Sequence, residues 1–129
     1  MGAVSLQDKR VVITGGARGL GRAFAASALD AGARVVIADI LEDLGSQTAD
    51  DLSVSGDVSF EAVDLGDPVS IERLAAAAKE TLGGLDGLVN CAAIATGIGG
   101  KTAEEIEIET WDRVMSVNVR GTWLVVKAF

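Results

Sequence analysis

Residues 14–21 read Thr14-Gly15-Gly16-Ala17-Arg18-Gly19-Leu20-Gly21 (TGGARGLG) and directly follow the apolar run Val11-Val12-Ile13. Glycine takes backbone conformations closed to other residues and lets another main chain or a ligand come close. Where such a loop leads from a strand into a helix, it leaves backbone N–H groups free at a helix N-terminus, and the helix dipole adds partial positive charge. That environment suits a pyrophosphate. The spacing Gly15-x-x-x-Gly19-x-Gly21 is not the G-x-G-x-x-G dinucleotide pattern, and a tight turn also needs glycine. The elements around the loop therefore decide its meaning.

Working outward, Lys9 to Thr14 reads as a buried strand, and Leu20 to Ala31 as an Ala-rich helix closed by Gly32. Arg34 to Ala38 (RVVIA) is a second strand, and Glu42 to Leu52 a helix weakened by Gly45. Val58 to Val63 is a third strand, with Phe60 and Ala62 alternating with polar neighbours. Asp67 can cap the next helix and Pro68 suits its first turn; this helix runs to Leu82 and stops at Gly83-Gly84. Leu85 to Cys91 is a fourth strand, Ala92 to Gly100 a loop, and from about Thr110 the pattern is helical to the end. Continuous apolar strands alternating with helices imply a parallel sheet covered on both faces. The expected fold is α/β: a Rossmann-like doubly wound sheet, incomplete, with strands one to four and a chain that ends mid-helix.

The bulk numbers agree. The 129 residues suffice for one domain over 1–129, and 49% of them are hydrophobic. A net charge of −8 argues against nucleic acid, which needs clustered Lys and Arg. No apolar run reaches the roughly 20 residues that span a bilayer, so no membrane partner is expected. The opening MGAVSLQDKR lacks the layout of a secretory leader. The single cysteine, Cys91, fits a reducing, cytoplasmic setting. No metal site is expected.

Asp39 ends the second strand, 18 positions after Gly21. A carboxylate there can accept hydrogen bonds from an adenosine ribose and repels a 2′-phosphate. It argues for NAD over NADP. Arg18 pulls the other way, since a guanidinium can pair with that phosphate, but Asp39 stands where the phosphate would go.

Thr14-Gly15-x-x-x-Gly19-x-Gly21 resembles the nucleotide loop of the short-chain dehydrogenase/reductase family, classical type. Asp64, after strand three, resembles the family's adenine-contacting acid. Asn90-Cys91-Ala92-Ala93 resembles its Asn-Asn-Ala-Gly motif, with Cys91 and Ala93 as departures. Trp111-Asp112-x-x-Met115-x-Val117-Asn118-Val119-x-Gly121 resembles the stretch that carries its catalytic-helix asparagine, here Asn118. The resemblance runs the length of the chain. It implies NAD binding by Gly15, Arg18, Gly19, Leu20, Gly21, Asp39, Ile40, Asp64, Leu65, Asn90, Ala92 and Ala93. It also implies hydride transfer between the nicotinamide and a secondary alcohol or ketone, the nicotinamide carrying the hydride.

In the family a Tyr exchanges the proton at the substrate oxygen, a Lys four residues later lowers its pKa, a Ser binds the oxygen, and the Asn holds a water that links the Lys to solvent. This sequence has no Tyr and no His. Trp123 precedes Lys127 by four positions and cannot act as an acid. Ser116 lies on the Asn118 helix, where a surface hydroxyl is expected. Cys91 reads as a small buried hydrophobe rather than a nucleophile. The resemblance therefore implies that 1–129 is the cofactor-binding portion of an enzyme of roughly 250 residues, with Ser, Tyr and Lys beyond Phe129.

Two structural expectations follow. Leu85 to Cys91 should present an unpaired strand edge, which favours aggregation. Val114, Val117, Gly121, Leu124 and Val125 form an apolar stripe at helical spacing. It suits packing on the sheet and, as the resemblance implies, a homo-oligomer (dimer or tetramer) interface on the last helix. A chain with such surfaces should be poorly soluble alone or need a partner. Two other functions compete. One is a catalytically inactive NAD-binding half-module that pairs with another chain, favoured by the missing Tyr. The other is a sugar-nucleotide enzyme of the extended family, whose Gly-x-x-Gly-x-x-Gly loop is not present. The Ala95 to Lys101 loop could line one wall of a substrate pocket, with small residues that leave room for a bulky alcohol.

Overall fold

β1 (Arg10–Thr14) is apolar at every position but its first and last, so it is stable only with both faces covered. It lies at the centre of a four-stranded parallel sheet ordered β3-β2-β1-β4, where β2 is Arg34–Asp39, β3 Val58–Ala62 and β4 Gly87–Asn90. The register pairs Ile13 with Ile37 on one side and with Val89 on the other. The computed structural model describes residues 3–95 and 97–129. Met1, Gly2 and Thr96, the last within the expected pocket-wall loop, lie outside the described residues.

The helices cover both faces. Val11, Ile13, Val35 and Ile37 pack with Ala25 and Leu29 of α1 (Gly19–Asp30) and with Ala49 and Leu52 of α2 (Glu42–Leu52). Val12 and Val36, one residue out of step, turn to the other face and meet Ala78 and Leu82 of α3 (Pro68–Leu82). The strand period of two thus sorts one continuous apolar run into two cores. This is the doubly wound arrangement.

The capping chemistry holds. Asp67 Oδ1 accepts from Val69 N at 3.0 Å, Pro68 opens α3, and Gly83 closes it with φ 77°. Gly45 does not break α2: its N–H donates to Leu41 O at 2.8 Å, and a Cβ there would overlap the Phe60 ring of β3. Its glycine makes room for a strand side chain to pack against the helix.

Three sequence readings need correction. Three strands are shorter than expected and one longer: β1 starts at Arg10 rather than Lys9, β3 stops at Ala62, β4 spans only Gly87–Asn90, and β2 runs one residue further, to Asp39. Ala62 is exposed, because β3 is an edge strand. The last helix begins at Ile108, earlier than Thr110, as α4 (Ile108–Met115). It then widens into a π-helical segment, Ser116–Gly121, before α5 (Thr122–Ala128).

The stripe Val114, Val117, Gly121, Leu124, Val125 is the sheet-packing face: Gly121 and Val125 are buried and the other three half-buried. A different stripe faces outward, with Trp111, Met115, Val119, Trp123 and Val126 all exposed. Among the described residues β4 pairs with β1 alone, so its other edge is unpaired as expected.

Candidate functional site

The glycine loop lies at the carboxyl end of β1, between the ends of β2 and β4. Gly15 N and Gly16 N donate to Ala38 O at 2.7 and 3.2 Å, tying the loop to β2. Gly15 has φ +71°, and a Cβ on it would lie 2.7 Å from Ala92 N and 2.8 Å from the Cys91 carbonyl carbon. Two sequence motifs therefore meet backbone to backbone at Gly15. A Cβ at Gly21 would overlap Gly15 O, so α1 starts close under the loop.

Gly19 differs. Its φ is +60°, and nothing lies within 4 Å of where its Cβ would sit. Arg18, the residue before α1, makes no side-chain cap, and the first turn of α1 carries no acid. Among the described residues the N–H groups of Gly19, Leu20 and Gly21 meet no protein acceptor. Buried or not, helix-end donors seek partners. Open space in front of free donors at a helix N-terminus fits a pyrophosphate. Leu20, in the first turn of α1, and Ile40, just after β2, are 71% and 63% exposed as apolar side chains.

Asp39 ends β2 half-buried. Its Oδ2 accepts from Ala17 N and its Oδ1 from Leu41 N, both at 3.1 Å. The side chain thus ties the glycine loop to the start of α2, and each oxygen keeps a further lone pair for a ligand hydroxyl. Asp64 is exposed after β3, and its Oδ1 accepts from Gly66 N at 2.8 Å. Leu65 is buried in the core with Ile71, Leu74 and Val125, so its side chain faces away from a ligand.

Asn90 ends β4 in register with Thr14 and is exposed. Thr14 is fully buried, and its Oγ1 accepts from Cys91 N at 3.2 Å and Ala92 N at 3.3 Å. This threonine fixes the turn after β4. Composition could not reveal that role, since Thr14 looks like any β-branched strand residue. Ala92 is half-buried and Ala93 exposed. Burial pushes the Cys91 thiol pKa up, which disfavours the nucleophilic thiolate.

Asn118 stands in the π-helical segment. Its Oδ1 accepts from Ile94 N at 2.7 Å, and its Nδ2 donates to Ile94 O at 2.9 Å. One side of the segment therefore grips the loop after β4. On the other side Arg120 Nη2 donates to Gly66 O at 3.0 Å, and a Cβ at Gly121 would lie 2.6 Å from Leu65 O. Ser116 spends its hydroxyl on Arg113 O of its own helix. The loops after β1, β2, β3 and β4 thus gather at one end of the sheet, where ligands of open α/β sheets bind.

A family model for short chain dehydrogenase matches residues 9–129. The chain is 40% identical over 125 residues to 2-(S)-hydroxypropyl-CoM dehydrogenase 3 of Xanthobacter autotrophicus, covering 95% of this chain and 48% of that protein. It is 38% identical to the sorbitol dehydrogenase of Cereibacter sphaeroides, covering 95% of this chain and 46% of that one. Among solved structures, a short chain dehydrogenase from Mycobacterium smegmatis superposes with a TM-score of 0.90 at 30% identity, covering 98% of this chain and 53% of that one. The RhlG/NADP active-site complex of Pseudomonas aeruginosa gives 0.88 at 34% identity, covering 96% and 47%. Fold, loops and likeness define a Rossmann-like α/β sheet of the short-chain dehydrogenase type. The chain belongs to the short-chain dehydrogenase family, whose cofactors are nicotinamide dinucleotides, and it spans about half the length of these relatives.

Proposed function

We propose that this chain is the cofactor-binding part of an NAD-dependent oxidoreductase that moves a hydride between the nicotinamide and a secondary alcohol or ketone. The observation that carries the cofactor reading is Asp39, at the tip of β2 and hydrogen-bonded to the glycine loop. A carboxylate there serves ribose hydroxyls and opposes a 2′-phosphate. The NADP of the RhlG complex belongs to that neighbour; here Asp39 favours NAD.

In this reading the free N–H groups at Gly19, Leu20 and Gly21 bind the pyrophosphate, with Gly15 and Arg18 shaping the loop. Asp39 and Ile40 receive the adenosine ribose, Asp64 and the Leu65 backbone the adenine. Asn90, Ala92 and Ala93 line the nicotinamide ribose. When bound, the nicotinamide supplies the hydride chemistry. Asn118 holds the loop after β4 through Ile94 and stands as the catalytic-helix asparagine. Ser, Tyr and Lys at the substrate oxygen are proposed to lie outside residues 1–129, in a single-domain enzyme about twice as long.

Among the described residues no helix is long and apolar enough to cross a membrane. The proposed setting, from the single cysteine, is the cytoplasm. The outward stripe Trp111, Met115, Val119, Trp123 supports a homo-oligomer. Acids (Glu104, Glu105, Glu107, Glu109) precede it, while Lys127 lies beyond its far end. Two antiparallel copies would pair acid with base in an isologous contact.

The absence of Tyr and His within 1–129 favours one second reading, a module that binds NAD but turns nothing over without another chain. Calorimetric titration with NAD and NADP tests the first claim: NAD binding tighter is expected, and tighter NADP binding overturns it. Alcohol-dependent NADH formation by the chain with and without a partner separates the two readings.

A further inference from the structure

Ala17 is buried at the centre of the glycine loop, and the two peptide groups flanking it are held from two sides. Its N–H donates to Asp39 Oδ2. Its carbonyl accepts from Thr48 Oγ1 at 2.6 Å. Thr48 lies on α2, 31 residues along the chain, and is fully buried. The inward stripe of α2 is Gly45, Thr48, Ala49 and Leu52, so Thr48 is its only hydroxyl. A buried hydroxyl is costly unless it is hydrogen-bonded, and this one points at the loop. Arg22 of α1 adds a long contact, Nη1 to Thr48 Oγ1 at 3.4 Å.

The Ala17 carbonyl belongs to the peptide that leads into Arg18 and the start of α1. Fixing its plane fixes the direction in which the next N–H groups point. Asp39 fixes the preceding peptide. We propose that Thr48 is a positioning residue for the dinucleotide: it touches no ligand, and with Asp39 it locks two successive peptides so that Gly19, Leu20 and Gly21 stay aimed at the pyrophosphate. This rests on reading the loop as a pyrophosphate site. Preorganised donors bind more tightly because no ordering cost falls on the ligand.

The test uses two probes that differ in the pyrophosphate, ADP and adenosine, titrated into the wild-type chain and into Thr48→Val and Thr48→Ser. Losing the hydroxyl bond is expected to weaken ADP about tenfold and to leave adenosine unchanged. Thr48→Ser keeps the donor and is expected to bind ADP like wild type. A purely structural role would lower thermal stability without changing the preference for ADP. Thr48→Val that retains the full ADP preference overturns the proposal, as does a loss of that preference in Thr48→Ser. If Thr48→Val gives no folded protein, Thr48→Ala carries the same expectation with less bulk. A wild-type chain that binds ADP no better than adenosine overturns the pyrophosphate reading itself, and the proposal with it.

Discussion

Asn118 holds the backbone of Ile94 at both ends, accepting from its N–H at 2.7 Å and donating to its carbonyl at 2.9 Å. A side-chain amide suits this pairing, since it carries an acceptor and a donor side by side on one planar group. The bond fixes the loop after β4 against the helix. Asn118→Ala removes both contacts and is expected to cost about 1–3 kcal/mol, read from urea unfolding, with faster amide exchange at Ile94. Asn118→Asp keeps the acceptor but sets a carboxylate against the Ile94 carbonyl. It should fall between wild type and Asn118→Ala or below both; a fully wild-type stability would contradict the clamp.

The glycines of the loop should separate folding from binding. A Cβ at Gly21 overlaps Gly15 O, whereas a Cβ at Gly19 meets nothing. Gly21→Ala is expected to destabilise the chain by about 1–3 kcal/mol through overpacking. Gly19→Ala should cost about 1–2 kcal/mol for its positive φ and place a methyl in the pyrophosphate space. Thermal melts with and without NAD decide: NAD should still raise the melting temperature of a folded Gly21→Ala chain more than that of Gly19→Ala.

Asp39 serves the loop as well as the proposed ribose. Asp39→Ala with Ile40→Arg should therefore lower NAD affinity by about tenfold or more and improve the ratio of NADP to NAD affinity. The NADP gain should be smaller than the NAD loss, because Ala17 N has also lost its acceptor. Unchanged NAD affinity would remove Asp39 from the site.

Far from the site, hydrogen bonding and the charge of the Arg10 guanidinium pull the Asp86 carboxyl down to about 2, from 3.8. The folded chain keeps this group ionised where the unfolded chain protonates it. The sign is fixed: the contribution is present above pH 3.8 and is lost as pH falls through about 2. Asp86→Asn should flatten the fall in stability across that window, measured as the difference between the two pH–stability curves.

Val119 and Trp123 are 55% and 58% exposed on the outward stripe. If copies associate there, Val119→Glu with Trp123→Glu should shift sedimentation toward monomer and leave the unfolding midpoint nearly unchanged. Retained association would place the contact elsewhere, with the unpaired edge of β4 the next surface to test.

Much of this chain is written in local pattern. The glycine loop, the helix signals at Asp67-Pro68 and Gly83, and the apolar runs of the strands determine the alternating α/β order, because each is a short-range constraint of backbone geometry. Asp39, Asn90 and Asn118 were visible as polar residues at strand ends or on the last helix. Tertiary structure decided the rest. One apolar run became two cores, since only pairing in the sheet tells which side each residue faces. Gly45 proved a packing device once Phe60 lay across it. The last helix showed two stripes, and which one faces solvent depended on where β3, α3 and the loop at Leu65 came to rest. Thr14 and Thr48 look ordinary in sequence. Their hydroxyls acquire a role only when folding brings partners 77 and 31 residues away within hydrogen-bonding distance.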